Sequence, residues 1–271
     1  MNDSKINQKT PAIAYSCYYT QNREGEQFAA EHVLSFQISG ILTLNNGIRE
    51  YIFKPGDFRF IKRNQLIKFN KQPDPNAAFQ SISIYLNQEA LRDFSIKHNQ
   101  KTSLIKSPET ETVFQLEETP LLKSLMGSLI PYINEDQLIT EELQTLKVNE
   151  AITILLQCKP ELKDILFDFN EPGKIDLEAF MKKNFHFNVQ LDRFAYLTGR
   201  SLATFKRDFQ RIFEVSPSRW LLQKRLQQAY YLIKEKGKTP TEVYLEVGFE
   251  DLSHFSFAFK KQYGLSPSKV F

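Results

Sequence analysis

The feature that most restricts how this chain can fold is a repeat near its end. At an offset of 50 residues, Phe205 corresponds to Phe255, Phe209 to Phe259, Phe213 to Tyr263, and Ser216-Pro217-Ser218 to Ser266-Pro267-Ser268. Upstream, Phe194, Leu197 and Leu202 correspond to Tyr244, Val247 and Leu252. Two copies are too few for a solenoid, so the repeat implies two similar supersecondary units. Each begins with a short helix, Leu191 to Leu197 or Pro240 to Val247, the second capped by Thr239 with Pro240 at its first position. A turn containing Gly199 or Gly248 follows. A longer helix comes next, about Ser201 to Phe213 or Asp251 to Tyr263, with Ser201 and Asp251 as N-caps. The aromatics of each longer helix recur at i, i+4 and i+8 and form one buried stripe, which leaves Lys206, Arg207 and Arg211 on the opposite face of the first. A short helix, a tight turn and a longer helix with a polar outer face make a helix-turn-helix, whose second helix fits the major groove of DNA. Pro217 to about Lys236 is one long connecting helix, with Leu221, Leu222, Leu226, Ala229 and Leu232 facing inward. Such a connector spaces the two longer helices for grooves about one DNA turn, roughly 34 Å, apart.

Charge supports a polyanionic partner. Residues 174–271 hold 17 Lys+Arg against 10 Asp+Glu, a net +7, while residues 1–173 carry −4 of the chain's +3. A basic segment beside an acidic remainder points to a nucleic acid as its ligand.

The run Val247-Gly248-Phe249-Glu250-Asp251-Leu252-Ser253-His254-Phe255-Ser256-Phe257-Ala258-Phe259-Lys260-Lys261-Gln262-Tyr263-Gly264-Leu265-Ser266-Pro267 resembles the C-terminal signature of the AraC/XylS family of bacterial transcription regulators. Thr204 to Leu222 resembles the family's first unit and its connecting helix. The resemblance covers residues 174–271 and implies an all-α DNA-binding domain with helix-turn-helix units at about 191–213 and 240–263. It implies that Ala203, Lys206 and Arg207 of the first unit and Ser253, His254 and Phe257 of the second face base edges. Phosphates would be met by Ser201, Arg211, Ser216, Lys260, Lys261, Ser266 and Lys269. Arg and Lys suit guanine O6 and N7. Family members often have Arg where this chain has Phe257, and a phenylalanine can only offer apolar contact, as to a thymine methyl. The first unit is therefore expected to carry more of the sequence information.

Residues 12 to about 86 read as short strands between tight turns. Val33 to Ile38, Gly40 to Leu44, Arg49 to Phe53, Phe58 to Phe60, Leu66 to Phe69 and Phe79 to Leu86 are strand-like, with turns at Asn45-Asn46-Gly47 and Lys54-Pro55-Gly56-Asp57. A small antiparallel barrel or sandwich is expected from this pattern. A helix from Asn87 to about Lys97, a polar irregular stretch at 98–118, a helix at Leu121 to Asn134 interrupted near Pro131, and a helix from Glu141 to Gln157 follow. In that last helix Leu143, Leu146, Ile152, Leu155 and Leu156 can share one side, suited to packing or to a homodimer contact. Asp168 to Gly173 reads as a linker. The expected architecture is α+β in two domains. Residues 12–160 form a cupin-like β-barrel with helices, for sensing and dimerisation, and residues 174–271 the DNA-binding domain. By the resemblance, the first domain receives a small-molecule effector or, as in the type III secretion activators of the family, a regulatory protein. The partners are then promoter DNA and RNA polymerase, with transcription activation as the outcome.

The rival class is a metal-dependent cupin-type enzyme. Of four histidines, His32, His98, His186 and His254, only His32 falls in the expected barrel, so a converging ligand set is not legible. No cofactor, metal or catalytic residue is expected. Cys17 and Cys158 are far apart, which argues against a disulfide framework. The polar Met1 to Pro11 segment lacks the apolar core of a signal peptide, and no apolar run reaches membrane-spanning length. A cytoplasmic protein is expected.

Overall fold

The computed structural model describes residues 12–19, 23–100, 111–134 and 139–270. The polar N-terminus, residues 1–11, and positions 101–110 of the stretch expected to be irregular lie outside them. The chain divides into two compact units, one formed by residues 1–25 and 29–170, the other by residues 26–28 and 171–271.

Among the described residues there are nine strands: β1 (Ile13–Tyr18), β2 (Arg23–Ala29), β3 (His32–Ser39), β4 (Ile41–Asn45), β5 (Glu50–Phe53), β6 (Phe58–Ile61), β7 (Gln65–Gln72), β8 (Phe79–Leu86) and β9 (Val113–Leu116). They do not close into the expected barrel. They form a five-stranded sheet of order β1-β8-β3-β6-β9 and a four-stranded sheet of order β2-β7-β4-β5. The five-stranded sheet is antiparallel throughout, as are the β4 pairings. Closure fails for a packing reason: the larger sheet has apolar residues to bury on both faces, whereas a barrel wall with a solvated exterior has one. Leu34, Phe58, Phe60, Ile82, Ile84 and Phe114 pack against helices, while Phe79 and Val113 pack with Leu42, Leu44, Phe53 and Ile67 of the smaller sheet. The chain passes from one sheet to the other at Gly40, between β3 and β4, where φ is +74°. A Cβ there would lie 2.5 Å from the Gln72 carbonyl oxygen, so only glycine fits this corner.

The turns follow their sequence signals. Asn46 Oδ1 accepts from the Ile48 and Arg49 N–H groups at 3.0 and 2.9 Å, and Asp57 Oδ2 accepts from Lys54 N–H at 2.6 Å. Strand β9 was not expected. It is short, and its buried Val113, Phe114 and Leu116 have their partners Ile61, Phe60 and Phe58 far back in the chain, in β6.

Helices α1 (Gln88–Lys97), α2 (Pro120–Gly127), α3 (Ile130–Asn134), α4 (Glu141–Cys158) and α5 (Lys163–Leu166) complete this unit. Pro131 has no N–H for the Gly127 carbonyl, and the expected 121–134 helix restarts as α3. Asn87, Thr119 and Thr140 cap α1, α2 and α4 through side-chain oxygens. The buried face of α4 is Val148, Ala151, Ile152, Ile154 and Leu155; Leu146 stays 64% exposed, so the five residues expected to share a side do not all pack inward.

In the second unit α6 (Leu177–Asn184) precedes α7 (Leu191–Leu197), α8 (Leu202–Phe213), α9 (Pro217–Lys236), α10 (Pro240–Glu246) and α11 (Leu252–Tyr263). Phe205 and Phe209 of α8 are fully buried, as are Phe255 and Phe259 of α11, and each stripe ends in a half-buried ring, Phe213 or Tyr263. Trp220 of α9 stands edge-on to Phe209, with ring centres 5.6 Å apart. Leu226, Ala229 and Ile233, further along the same helix, join the α11 core. The connecting helix thus supplies both cores. Leu222, expected inside, is 40% exposed.

Among the described residues, no helix is long and apolar enough to cross a membrane.

Candidate nucleic-acid interface

Both longer helices begin at a capped N-terminus. Ser201 Oγ accepts from Thr204 N–H at 3.3 Å and pairs with Thr204 Oγ1 at 3.0 Å; Asp251 Oδ1 accepts from His254 N–H at 2.6 Å. Thr239 and Glu242 form a capping box on α10, Thr239 N–H donating to Glu242 Oε2 at 2.8 Å. These bonds fix where each helix starts and therefore which residues face outward.

With the aromatic stripes turned inward, Ala203, Lys206 and Arg207 on α8 and Ser253, His254 and Phe257 on α11 are all exposed. Phe257 is 70% exposed, the extreme case on α11 of a large apolar side chain left in solvent. Ser201, Arg211, Ser216, Lys260, Lys261 and Lys269 are exposed, and Ser266 is half-buried. The Ser201 hydroxyl is already engaged in its cap, and Ser266 Oγ lies 3.2 Å from Ser268 Oγ. Ser216 makes no side-chain cap at the start of α9, where Pro217 occupies the first turn. The two faces differ in chemistry. The α8 face presents an ammonium and a guanidinium, while the α11 face presents a hydroxyl, an imidazole and a phenyl ring before its first basic side chain.

The turn between α7 and α8 is held by residues that the repeat does not reveal. Arg200 Nε donates to Asp208 Oδ2 at 3.1 Å, and its Nη1 donates to the Thr198 and Ile175 carbonyls at 2.7 and 3.0 Å. The bond from Arg200 holds the Asp208 carboxyl below the usual carboxylate range. Thr198 Oγ1, fully buried, donates back to the Phe194 and Ala195 carbonyls at 2.8 and 3.0 Å. Arg225, on the connecting helix, donates to the Phe185 and Phe187 carbonyls at 2.9 and 2.8 Å and to Asn188 Oδ1 at 3.2 Å, so it fastens the segment before α7 onto α9. The only signals for these were an acid on an otherwise basic helix and an arginine among leucines. Gly199 and Gly248 have φ of +64° and +94°, and a Cβ on either would collide with backbone, at Gly173 and His186 respectively. A cleft of about 520 Å³ lies between the two units of the repeat, lined by Leu191, Leu221, Leu222, Arg225, Phe249 and His254 among others.

His32, the one histidine of the expected barrel, is fully buried: its Nδ1 accepts from Arg63 N–H at 3.1 Å and its ring stacks on Phe60. Burial lowers its pKa to about 3. Among the described residues, no group of three or more His, Cys, Asp or Glu is arranged to hold a metal ion.

Two short-helix, turn, long-helix units on a shared connector, each with a polar outer face on its second helix, define a DNA-binding protein of the helix-turn-helix class. Residues 194–271 match the family model described as a helix-turn-helix domain, and residues 32–165 match the ExsA N-terminal regulatory domain. The chain is 23% identical over 239 residues to the HTH-type transcriptional regulator ExsA of Pseudomonas aeruginosa, covering 86% of this chain and 83% of that one. It is 29% identical over 240 residues to the virulence regulon transcriptional activator VirF of Yersinia enterocolitica, covering 86% of each. ToxT of Vibrio cholerae aligns in structure over 95% of both chains at 12% identity, with a TM-score of 0.46. The chain belongs to the AraC/XylS family of transcription regulators, with a regulatory domain preceding the DNA-binding one.

Proposed function

We propose that this protein binds promoter DNA at a specific sequence through α8 and α11 and activates transcription from it. The observation that carries the reading is that Ala203, Lys206, Arg207, Ser253, His254 and Phe257 all stand exposed on the two capped helices whose opposite faces are locked into aromatic cores. In this reading Lys206 and Arg207 donate to guanine O6 and N7. Arg211, Ser216, Lys260, Lys261 and Lys269 meet phosphates and set the register, with Ser201 and Ser266 offering backbone N–H groups near helix starts. The DNA-binding domain is residues 174–271, and residues 12–160 sense and dimerise. Activation is supported by the name of the VirF relative, and contact with RNA polymerase is the route proposed for it. The match to a regulatory domain supports control by an effector or a regulatory protein bound to the first domain, and a cytoplasmic setting follows from a DNA partner. None of the residues proposed here performs chemistry on the DNA.

Selection from random duplex DNA by the full chain, beside a Lys206→Ala/Arg207→Ala double variant, tests this. A bipartite motif with parts about one helical turn apart is expected, with the variant losing its preference in one part at roughly 1–3 kcal/mol per base contact. No enrichment by a folded wild-type protein, with or without its regulatory partner, would refute the reading. Equal weakening on all sequences would reassign both cations to phosphate.

A further inference from the structure

Each helix-turn-helix is carried by the connecting helix. Helices α7 and α8 lie against each other and α8 against α9; α10 and α11 lie against each other and both against α9. Between the two units runs the cleft, with Leu221 and Leu222 of α9 on its wall and Asn188 and Glu250 among the residues that line it. A helix rises about 1.5 Å per residue, so α9 fixes how far apart the two cores sit. The roll of each unit about α9 is left to side-chain contacts, and a polar chain near the middle of α9 reaches both units.

That chain starts at Arg225. Its Nε and Nη2 donate to the Phe185 and Phe187 carbonyls, in the segment leading into α7, at 2.9 and 2.8 Å. Its Nη1 donates to Asn188 Oδ1 at 3.2 Å, and Asn188 Nδ2 donates in turn to Glu250 Oε1 at 2.7 Å. Glu250 stands in the turn that opens α11, directly before the N-cap Asp251. A guanidinium only donates and an ionised carboxylate only accepts, so one orientation of the Asn188 amide satisfies both neighbours. The backbone follows the same path: a Cβ on Gly248 would lie 2.6 Å from the His186 carbonyl oxygen, so the second turn rests against the segment before α7. Hydrogen bonds to a charged acceptor are short and directional, and a small roll of one unit against the other lengthens this one.

We propose that Asn188 and Glu250 are positioning residues for DNA recognition. Their bond, fastened to α9 through Arg225, sets the roll of α11 relative to α8, and with it the gap that the protein accepts between the two parts of its operator. Spacing between two recognition elements is a geometric property of the protein that holds them. The proposal rests on the reading of α8 and α11 as the helices that enter DNA, and in that reading neither Asn188 nor Glu250 touches a base.

Duplex selection by the full chain tests it, with wild type beside Glu250→Ala, Asn188→Asp and Glu250→Gln. Glu250→Ala removes the acceptor. Asn188→Asp keeps an acceptor for Arg225 but sets a second carboxylate against Glu250. Glu250→Gln keeps an acceptor for Asn188. Wild type and Glu250→Gln should select one gap length. In the other two variants the preference for that gap over gaps one base pair longer or shorter should fall about fivefold, the order of one partly exposed hydrogen bond. Base preferences within each part should stay as they are; a mere loss of stability would weaken all gaps alike. Pulsed electron paramagnetic resonance reads the same roll without DNA. Spin labels go at Gln210→Cys and Lys260→Cys, exposed and equivalent positions of α8 and α11, in a Cys17→Ser/Cys158→Ser background that removes both free cysteines. One narrow distance is expected for wild type and Glu250→Gln, and a broader or shifted distribution for Glu250→Ala and Asn188→Asp. Unchanged distances in both of those variants, an unchanged gap preference in both, or the same broadening in Glu250→Gln would each overturn the proposal. A wild type with one narrow distance that selects no two-part motif would instead sink the DNA reading, with the distances still deciding whether the bond positions α11.

Discussion

Replacing Gly248 by alanine tests whether the second helix-turn-helix is held as described. Gly248 has φ +94°, and a Cβ there would lie 2.6 Å from the His186 carbonyl oxygen and 3.0 Å from Arg225 Nε. The left-handed conformation alone costs a residue with a Cβ about 1–2 kcal/mol. The 2.6 Å approach must open by several tenths of an ångström against backbone, and Arg225 cannot yield freely while it donates to Phe185, Phe187 and Asn188. Overpacking of this kind adds about 1–3 kcal/mol, so Gly248→Ala should destabilise by roughly 2–5 kcal/mol in sum. Gly237 is the control: its φ is +64° and nothing stands within 4 Å of its would-be Cβ. Gly237→Ala should therefore cost only the conformational part, about 1–2 kcal/mol. Trp220, the single tryptophan and 6% exposed on the shared connecting helix, reports urea unfolding of this unit by fluorescence. Gly248→Ala should also weaken duplex binding, since α11 begins four residues later. A Gly248→Ala variant no less stable than Gly237→Ala would show that the turn tolerates a side chain and that the close approach is not what holds it.

Phe257 is 70% exposed, and burying such a ring against a thymine methyl should be worth about 1–2 kcal/mol over alanine. Phe257→Ala is expected to lose that affinity on the selected site and almost none on the same duplex with deoxyuridine for thymidine; equal losses on both would remove the methyl contact. His32 is held neutral by burial, its pKa at about 3 against an ordinary 6.5. Its contribution is fully present above pH 6.5 and is lost as pH falls toward 3, at up to about 1.4 kcal/mol per pH unit. His32→Asn keeps an acceptor near the Arg63 N–H and should flatten that part of the stability–pH curve, and an unchanged slope would show that His32 is not the group responsible.

The C-terminal unit was legible in the sequence to nearly every helix boundary. Its repeat, its aromatic period and its caps are local signals, and helices answer to local signals because their hydrogen bonds close within four residues. The buried stripe of α8 left Lys206, Arg207 and Arg211 on its opposite face, while Ala203, Ser253, His254 and Phe257 came from the family resemblance. Strands β3 to β8 were legible through alternation and turn residues, as Asn46 and Asp57 show, whereas β1 and β2 fell in a stretch read only as β structure without bounds. Strand β9 was not, because a four-residue strand is identified by its partner rather than by itself.

The sequence by itself determined the helix-turn-helix pair and the stripes that α8 and α11 bury. Only the tertiary structure decided that the strands form two sheets, that Leu146 and Leu222 face outward, that Arg200 and Asp208 brace the first turn, and that Asn188 joins Arg225 to Glu250. These depend on which residues meet across tens of positions of chain, and neither periodicity nor capping carries that information; packing and the pairing of buried polar groups supply it.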